Sequence, residues 1–280
     1  MRRFLGILGV TALLVVVPAA AGTAAPSPVG TANATGYYVA LGDSLAAGYQ
    51  PGQGDDRAGG YVGDVLDAVQ AAHPKTRLVN LACSGETAVT LVAGGRCAYD
   101  AGSQYAAASR FLHAHGRFTR LVTLQVGAND VLRCVSGGTS IDLACFQAAL
   151  AGIRANVGTV LAMVRAEAPD AEVVVVNYYD PLLVTWFTDQ GLAAQTVQLL
   201  ALLNGTLAAE AAGTGADVAD VATAFHSTDW SPTTLPGVPG TVPTNVAYIC
   251  TYTWMCSRGD IHANDAGYVI IGQAVVARLG

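Results

Sequence analysis

The chain has 280 residues and a formal net charge of −6; 52% of its residues are apolar and only 12% are charged. A single lysine, Lys75, and scattered arginines form no basic stripe along which a phosphate backbone could lie, so nucleic acid is not an expected partner. The apolar content excludes a disordered chain, and the length is enough to bury one sizeable core without a second domain.

The N-terminus, MRRFLGILGVTALLVVVPAAAGTAAPS, places two arginines before an apolar stretch from Phe4 to Val17 and then a run of small residues. That three-part layout predicts a secretory signal peptide over residues 1–25, removed near Ala21 to Ala25. Pro18 interrupts a stretch already too short to serve as an anchor, and no later apolar run is long and uninterrupted enough to predict a stable membrane span. A single domain is expected over residues 36–280. Strand-like runs occur at 37–41, 77–82, 120–126 and 172–178, with a weaker one at 217–225. Helix-like stretches lie near 60–73, 100–113, 142–167, 188–212 and 264–279. The central strands are continuously apolar and do not alternate, as a sheet covered on both faces requires. The expected fold is therefore an α/β/α sandwich of three layers around a parallel sheet, flavodoxin-like in kind.

The six cysteines fall as Cys83 and Cys97, Cys134 and Cys145, Cys250 and Cys256. An even number behind an export signal predicts disulfides. Spacing does not fix the connectivity; sequential pairing is expected because it would staple three loops rich in Gly, Ser and Thr. No Cys-x-x-Cys occurs and the histidines lie apart from the cysteines, so neither a metal site nor a cofactor is expected.

In a sheet of this kind chemistry gathers beyond the carboxyl ends of the strands. Those ends carry GDS with Ser44, NLACSGET with Gly85, VGAND with Asn129 and Asp130, and NYYDPLLVTWF; RGDIHAND, with Asp260 and His262, precedes the last helix. Taken singly each has an ordinary explanation: Ser44 as a helix cap, Gly85 as a turn glycine, Asn129 as an Asx-turn residue, His262 as a helix-start histidine. Together they converge on one rim of one sheet, with a hydroxyl, an amide and an imidazole suited to acyl transfer.

Gly42-Asp43-Ser44-Leu45, Gly85 within CSGET, Gly127-Ala128-Asn129-Asp130 and His262 within DIHAN resemble, in order, the four blocks of the SGNH, or GDSL-type, hydrolase family. The cysteine spacing is similar to that of secreted actinobacterial lipases and esterases of this family with three local disulfides. The resemblance implies that Ser44 attacks an ester carbonyl after His262 takes its proton. It implies that the backbone N–H groups of Ser44 and Gly85 and the amide of Asn129 hold the oxyanion. Asp43 and Asp130 are expected to brace their loops through backbone N–H groups. No G-x-S-x-G occurs, which separates the chain from the larger lipase fold.

One position departs from the family pattern. Its aspartate commonly stands three residues before the histidine, where this chain has Gly259; Asp260 is one residue later. The Gly259 carbonyl is the favoured holder of the imidazole on this reading, with Asp260 as the alternative. Tyr178, Tyr179, Leu182, Leu183, Trp186, Phe187, His226 and Trp230 are candidates for an acyl-chain cleft. The expected function is a secreted, monomeric esterase or lipase acting on small-molecule or lipid esters. The alternatives are a glycan acetyl esterase, a phospholipase, or a catalytically silent binding module.

Overall fold

The computed structural model describes residues 35–136 and 140–280; the signal segment expected at 1–25 lies outside the described residues. Five parallel strands, β1 (Gly36–Gly42), β2 (Thr76–Asn80), β3 (Thr119–Gln125), β4 (Glu172–Val176) and β5 (Asp217–Ala219), form one sheet in the order β2-β1-β3-β4-β5. The valine run at 173–176 is buried throughout, as are Tyr38 to Leu41 of β1, because helices cover the sheet. From β1 the chain passes to β2 on one side and to β3 on the other. The crevice beyond the carboxyl end of β1 is thus the switch point where such sheets bind ligands.

Helices α1 (Gly60–Ala72) and α5 (Asp265–Val276) pack on each other; α2 (Gln104–His115), α3 (Leu143–Glu167) and α4 (Gln190–Thr214) form a second group. Four of the five start on a side-chain cap: Ser103, Asp142, Asp189 and Asn264 each accept an N–H from the first turn. The Ser103 cap explains why α2 begins at 104 and not at 100. The run at 217–225 is strand only to Ala219, because Asp220 caps a helical turn at Val221–Ala224.

Helices α3 and α4 are long and apolar enough to cross a membrane by length and composition, which the sequence reading did not anticipate. Their apolar faces, however, cover the core. Phe146, Ile153, Val157 and Leu161 of α3 are buried, as are Leu203 and Leu207 of α4. The cysteines join as Cys83–Cys97, Cys134–Cys145 and Cys250–Cys256. The first ties down the loop after β2, the second anchors the segment after β3 to the start of α3, and the third lies just ahead of His262.

Candidate active site

β1 ends in Gly42, at φ +139°, where a β-carbon would run into the Gln125 carbonyl. The Asp43 N–H donates to that carbonyl at 2.9 Å, so the chain turns while still bound to β3. Residues 44–48 form turns, not a helix, and Ser44 caps nothing with its side chain. Asp43 braces the turn instead, accepting the Leu45 N–H at 3.0 Å and the Tyr178 hydroxyl at 2.6 Å. Burial pushes the Asp43 carboxyl up to about 7, against the lowering effect of these two bonds, with Asp130 and Glu86 adding to the rise.

The histidine arrives on a loop. After the short helix Met255–Arg258, Gly259 adopts the left-handed conformation that ends it, with φ +65°. That reversal faces Asp260 toward the imidazole: its Oδ1 accepts the His262 backbone N–H at 3.0 Å and lies 2.6 Å from Nδ1. On the other side Nε2 lies 2.8 Å from the Ser44 Oγ. The Gly259 carbonyl is therefore not the imidazole's partner. The helix-ending glycine places the carboxylate one residue later than the family pattern, and an Asx-type turn onto His262 N–H fixes it there. Tyr179 donates its hydroxyl to the Ile261 carbonyl at 2.7 Å, and the Tyr49 ring packs on the imidazole at 4.4 Å between centroids.

Gly85, at φ +79°, lies in the loop that follows β2. Next to it, the Glu86 carbonyl accepts the Asn129 side-chain N–H at 2.9 Å, which orients the amide and leaves its second hydrogen free. Asp130 accepts the Ala88 N–H at 2.8 Å, and burial raises its carboxyl above the ordinary range. Ser44, Asn129 and His262 line one cleft of about 780 Å³, counted with its open mouth. Its walls are largely apolar, with Val131, Leu132, Val135, Ile141 and Phe146 and, from α4, Leu199, Leu200 and Leu203. Of the aromatic and aliphatic candidates named from sequence, Tyr178, Tyr179 and Leu182 line this cleft. Leu183 is core, Trp186 packs edge-on against Phe187, His226 packs on Tyr248, and Trp230 is exposed.

The fold has solved counterparts. A lipase from a goat rumen metagenome, Lip_vut3, superposes with a TM-score of 0.59 at 17% identity, over 87% of this chain and 97% of that one. The extracellular lipase of Streptomyces rimosus gives 0.53 at 22% identity, over 86% and 98%. At these identities the likeness carries the fold alone. No curated protein matches the chain by sequence. The GDSL-like Lipase/Acylhydrolase family, however, matches residues 40–270. The chain belongs to that family. It is accordingly a carboxylic ester hydrolase.

Two braces of this GDSL-type site went unread in the sequence. Gln104, fully buried, accepts the Gly42 N–H at 2.6 Å through Oε1; its Nε2 donates to the Gly42 carbonyl at 3.0 Å and reaches Glu86 Oε2 at 3.3 Å. It thus spans the serine and glycine loops. Asn204, within an Asn-Gly-Thr sequon, faces inward and clasps both the N–H and the carbonyl of Tyr178, so its amide is not displayed for glycosylation. For Asn204 the available signal was an uncharged amide inside an otherwise apolar helical stretch; Gln104, the first residue of its helix, carried none.

Proposed function

We propose that the protein is a secreted serine esterase that hydrolyses esters of apolar acyl chains through an acyl-enzyme on Ser44. One observation carries this reading: the Asp260–His262–Ser44 hydrogen-bonded chain opens directly into the apolar cleft. With its proton on Nδ1, the imidazole donates to Asp260 and keeps Nε2 free to accept the Ser44 hydroxyl proton as Oγ attacks the ester carbonyl. Electrons of the carbonyl π bond move onto oxygen, and the oxyanion takes hydrogen bonds from the Ser44 and Gly85 N–H groups and the free hydrogen of Asn129. Collapse breaks the bond to the alcohol, which leaves with the proton from Nε2. Water then repeats the sequence on the acyl-enzyme and releases the acid.

Leucine, valine and phenylalanine walls suit a hydrocarbon chain better than an acetylated sugar, which favours lipid-like esters over the glycan acetyl esterase alternative. The disulfides fit an oxidising compartment, and hence export by the N-terminal segment of a single-domain body spanning 36–280. The test combines a serine-directed p-nitrophenyl phosphonate with a chain-length series of p-nitrophenyl esters. The label should map to Ser44, Ser44→Ala should lose about 10⁴-fold or more in turnover while staying folded, and kcat/KM should climb from acetate to octanoate. Labelling elsewhere, or an undiminished S44A protein, would sink the serine assignment. A preference for acetate would sink the apolar-acyl reading.

A further inference from the structure

The two helices that wall the cleft are uncharged over the length that flanks it. No Asp, Glu, Lys, Arg or His occurs in residues 143–153 of α3 or 190–209 of α4. The charge-free lengths end at one level, where Arg154 of α3 meets Glu210 of α4 at 3.9 Å, and further along Arg165 of α3 binds the Thr214 carbonyl. The helices therefore run side by side. Their uncharged N-terminal parts carry Phe146, Leu199, Leu200 and Leu203 into the cleft, while their charged ends lie away from it.

The solvent side of these parts is uncharged as well and carries large apolar side chains. Leu202 is 55% exposed, the most of any large hydrophobic residue among those described, and Leu143 is 50% exposed. Phe187, 42% exposed, stands just before α4. Within the helices the other exposed positions of these parts are Ala, Gly and Gln, such as Ala148, Ala151, Gln195, Gln198 and Ala201, while Thr188 and the capping Asp189 stand exposed between Phe187 and α4. Helix surfaces that serve only to face water normally carry charge, and an apolar face continuous with a binding cleft marks a surface for another body.

We propose that this face seats the enzyme on the surface of an aggregated lipid with uncharged or zwitterionic headgroups, so that an acyl chain enters the cleft without crossing water. The inference rests on the ester-hydrolase reading of the cleft, which defines what must lie next to its mouth. An ionic partner is disfavoured because the helical stretches of the face carry no charge, and Asp142 and Asp189 at their starts are each engaged in capping a first turn. Leu143, Phe187 and Leu202 would enter the headgroup boundary, each contributing by burial of its apolar surface.

Flotation with phosphatidylcholine vesicles tests the seat, using the Ser44→Ala protein so that hydrolysis does not alter the lipid. Binding should persist as salt is raised. Adding Leu143→Glu or Leu202→Glu should each lower the bound fraction constant about tenfold or more. In the Ser44-intact background these changes should leave turnover of dissolved p-nitrophenyl butyrate unchanged while lowering hydrolysis of an emulsified long-chain ester. Leu202→Gln serves in place of L202E if circular dichroism shows that the latter is unfolded. A folded S44A protein that fails to float overturns the seat even where the parent hydrolyses dissolved butyrate. So does binding abolished by salt, equal flotation of the variants, or a dimer in solution that L202E dissociates. A parent that floats yet turns over no dissolved ester overturns the catalytic reading and leaves the lipid contact standing.

Discussion

The serine side and the histidine side of the site are built by opposite means. Around Ser44 everything is sheet end and buried polar brace: Asp43, Glu86, Gln104 and Asp130 are almost fully sealed from water, and all but Glu86 hold a backbone N–H through the side chain, while Glu86 meets Gln104. His262 has no strand beneath it. It stands between the short helix Met255–Arg258 and α5, tied by Cys250–Cys256, by Trp254 donating to Gln50 and by Arg258 lying 4.0 Å over the Trp254 ring. Asp260 keeps 24% of its side chain exposed and His262 15%. The difference follows from the chemistry proposed for each side. Donors aimed at a developing oxyanion act best when fixed beforehand, whereas a proton-shuttling base needs only to be held in one tautomer and within reach of the hydroxyl.

Breaking the looser side at its single carboxylate should have the largest effect. Asp260→Asn removes the charged acceptor that keeps the proton on Nδ1, and ester turnover near neutral pH should fall by about 10³ to 10⁴-fold, the upper end being the loss seen when a buried triad aspartate becomes asparagine. A loss of only a few-fold in a folded protein would return the orienting role to the backbone. On the braced side, Asn129→Ala deletes one proposed oxyanion donor and should slow pre-steady-state acylation by roughly 10² to 10³-fold. An unchanged rate would reduce Asn129 to a clasp on the Glu86 carbonyl.

A smaller loss should come from Gln104, which touches no substrate and acts through the loops it joins. Gln104→Leu strands the Gly42 N–H and frees Glu86, and should lower kcat about tenfold with KM little changed, since geometry at the serine is disturbed while the apolar cleft is intact. A rise in KM at constant kcat would mean that Gln104 shapes binding and not the alignment of the donors.

The same contrast explains what could be read from the sequence. The strands around Ser44 were legible because buried parallel strands are continuously apolar, and the ends of such strands are where polar residues need a reason. Asn129, which lines the cleft, and Gly85, in the loop after β2, were singled out on that logic. The histidine side was legible only in part, because the glycine at 259 occupies the family's acid position and nothing in a linear spacing reveals that its left-handed turn brings Asp260 around to Nδ1. The cleft was read only in part for a related cause. Aromatic density around 178–187 and 224–230 suggested its walls, of which Tyr178, Tyr179 and Leu182 hold, yet much of the wall comes from leucines of α4 and from Val131, Leu132, Val135, Ile141 and Phe146, which linear spacing does not bring to the site. Gln104 lay hidden because a glutamine at the start of an amphipathic helix reads as surface.

The braced side also carries a signature in stability. Burial raises the Asp43 carboxyl from 3.8 to about 7, so the folded protein holds a proton there that the unfolded chain has already released over that interval. A raised acid contributes stability that is fully present below the unfolded value and is lost as pH climbs through the folded one. Asp43→Asn cannot titrate, while its amide oxygen can still accept from the Leu45 N–H or the Tyr178 hydroxyl. The melting temperature of the parent relative to D43N should therefore drop by a few degrees between about pH 4 and pH 8, the scale expected for a domain of this size. Asp130 and Asp180 are also raised by burial, but both are present in either protein and cancel in the difference. If D43N instead loses ground as pH rises, the two hydrogen bonds outweigh burial. The serine turn is then braced by a carboxylate anion, as the histidine side is, and the contrast between the two sides narrows to exposure alone.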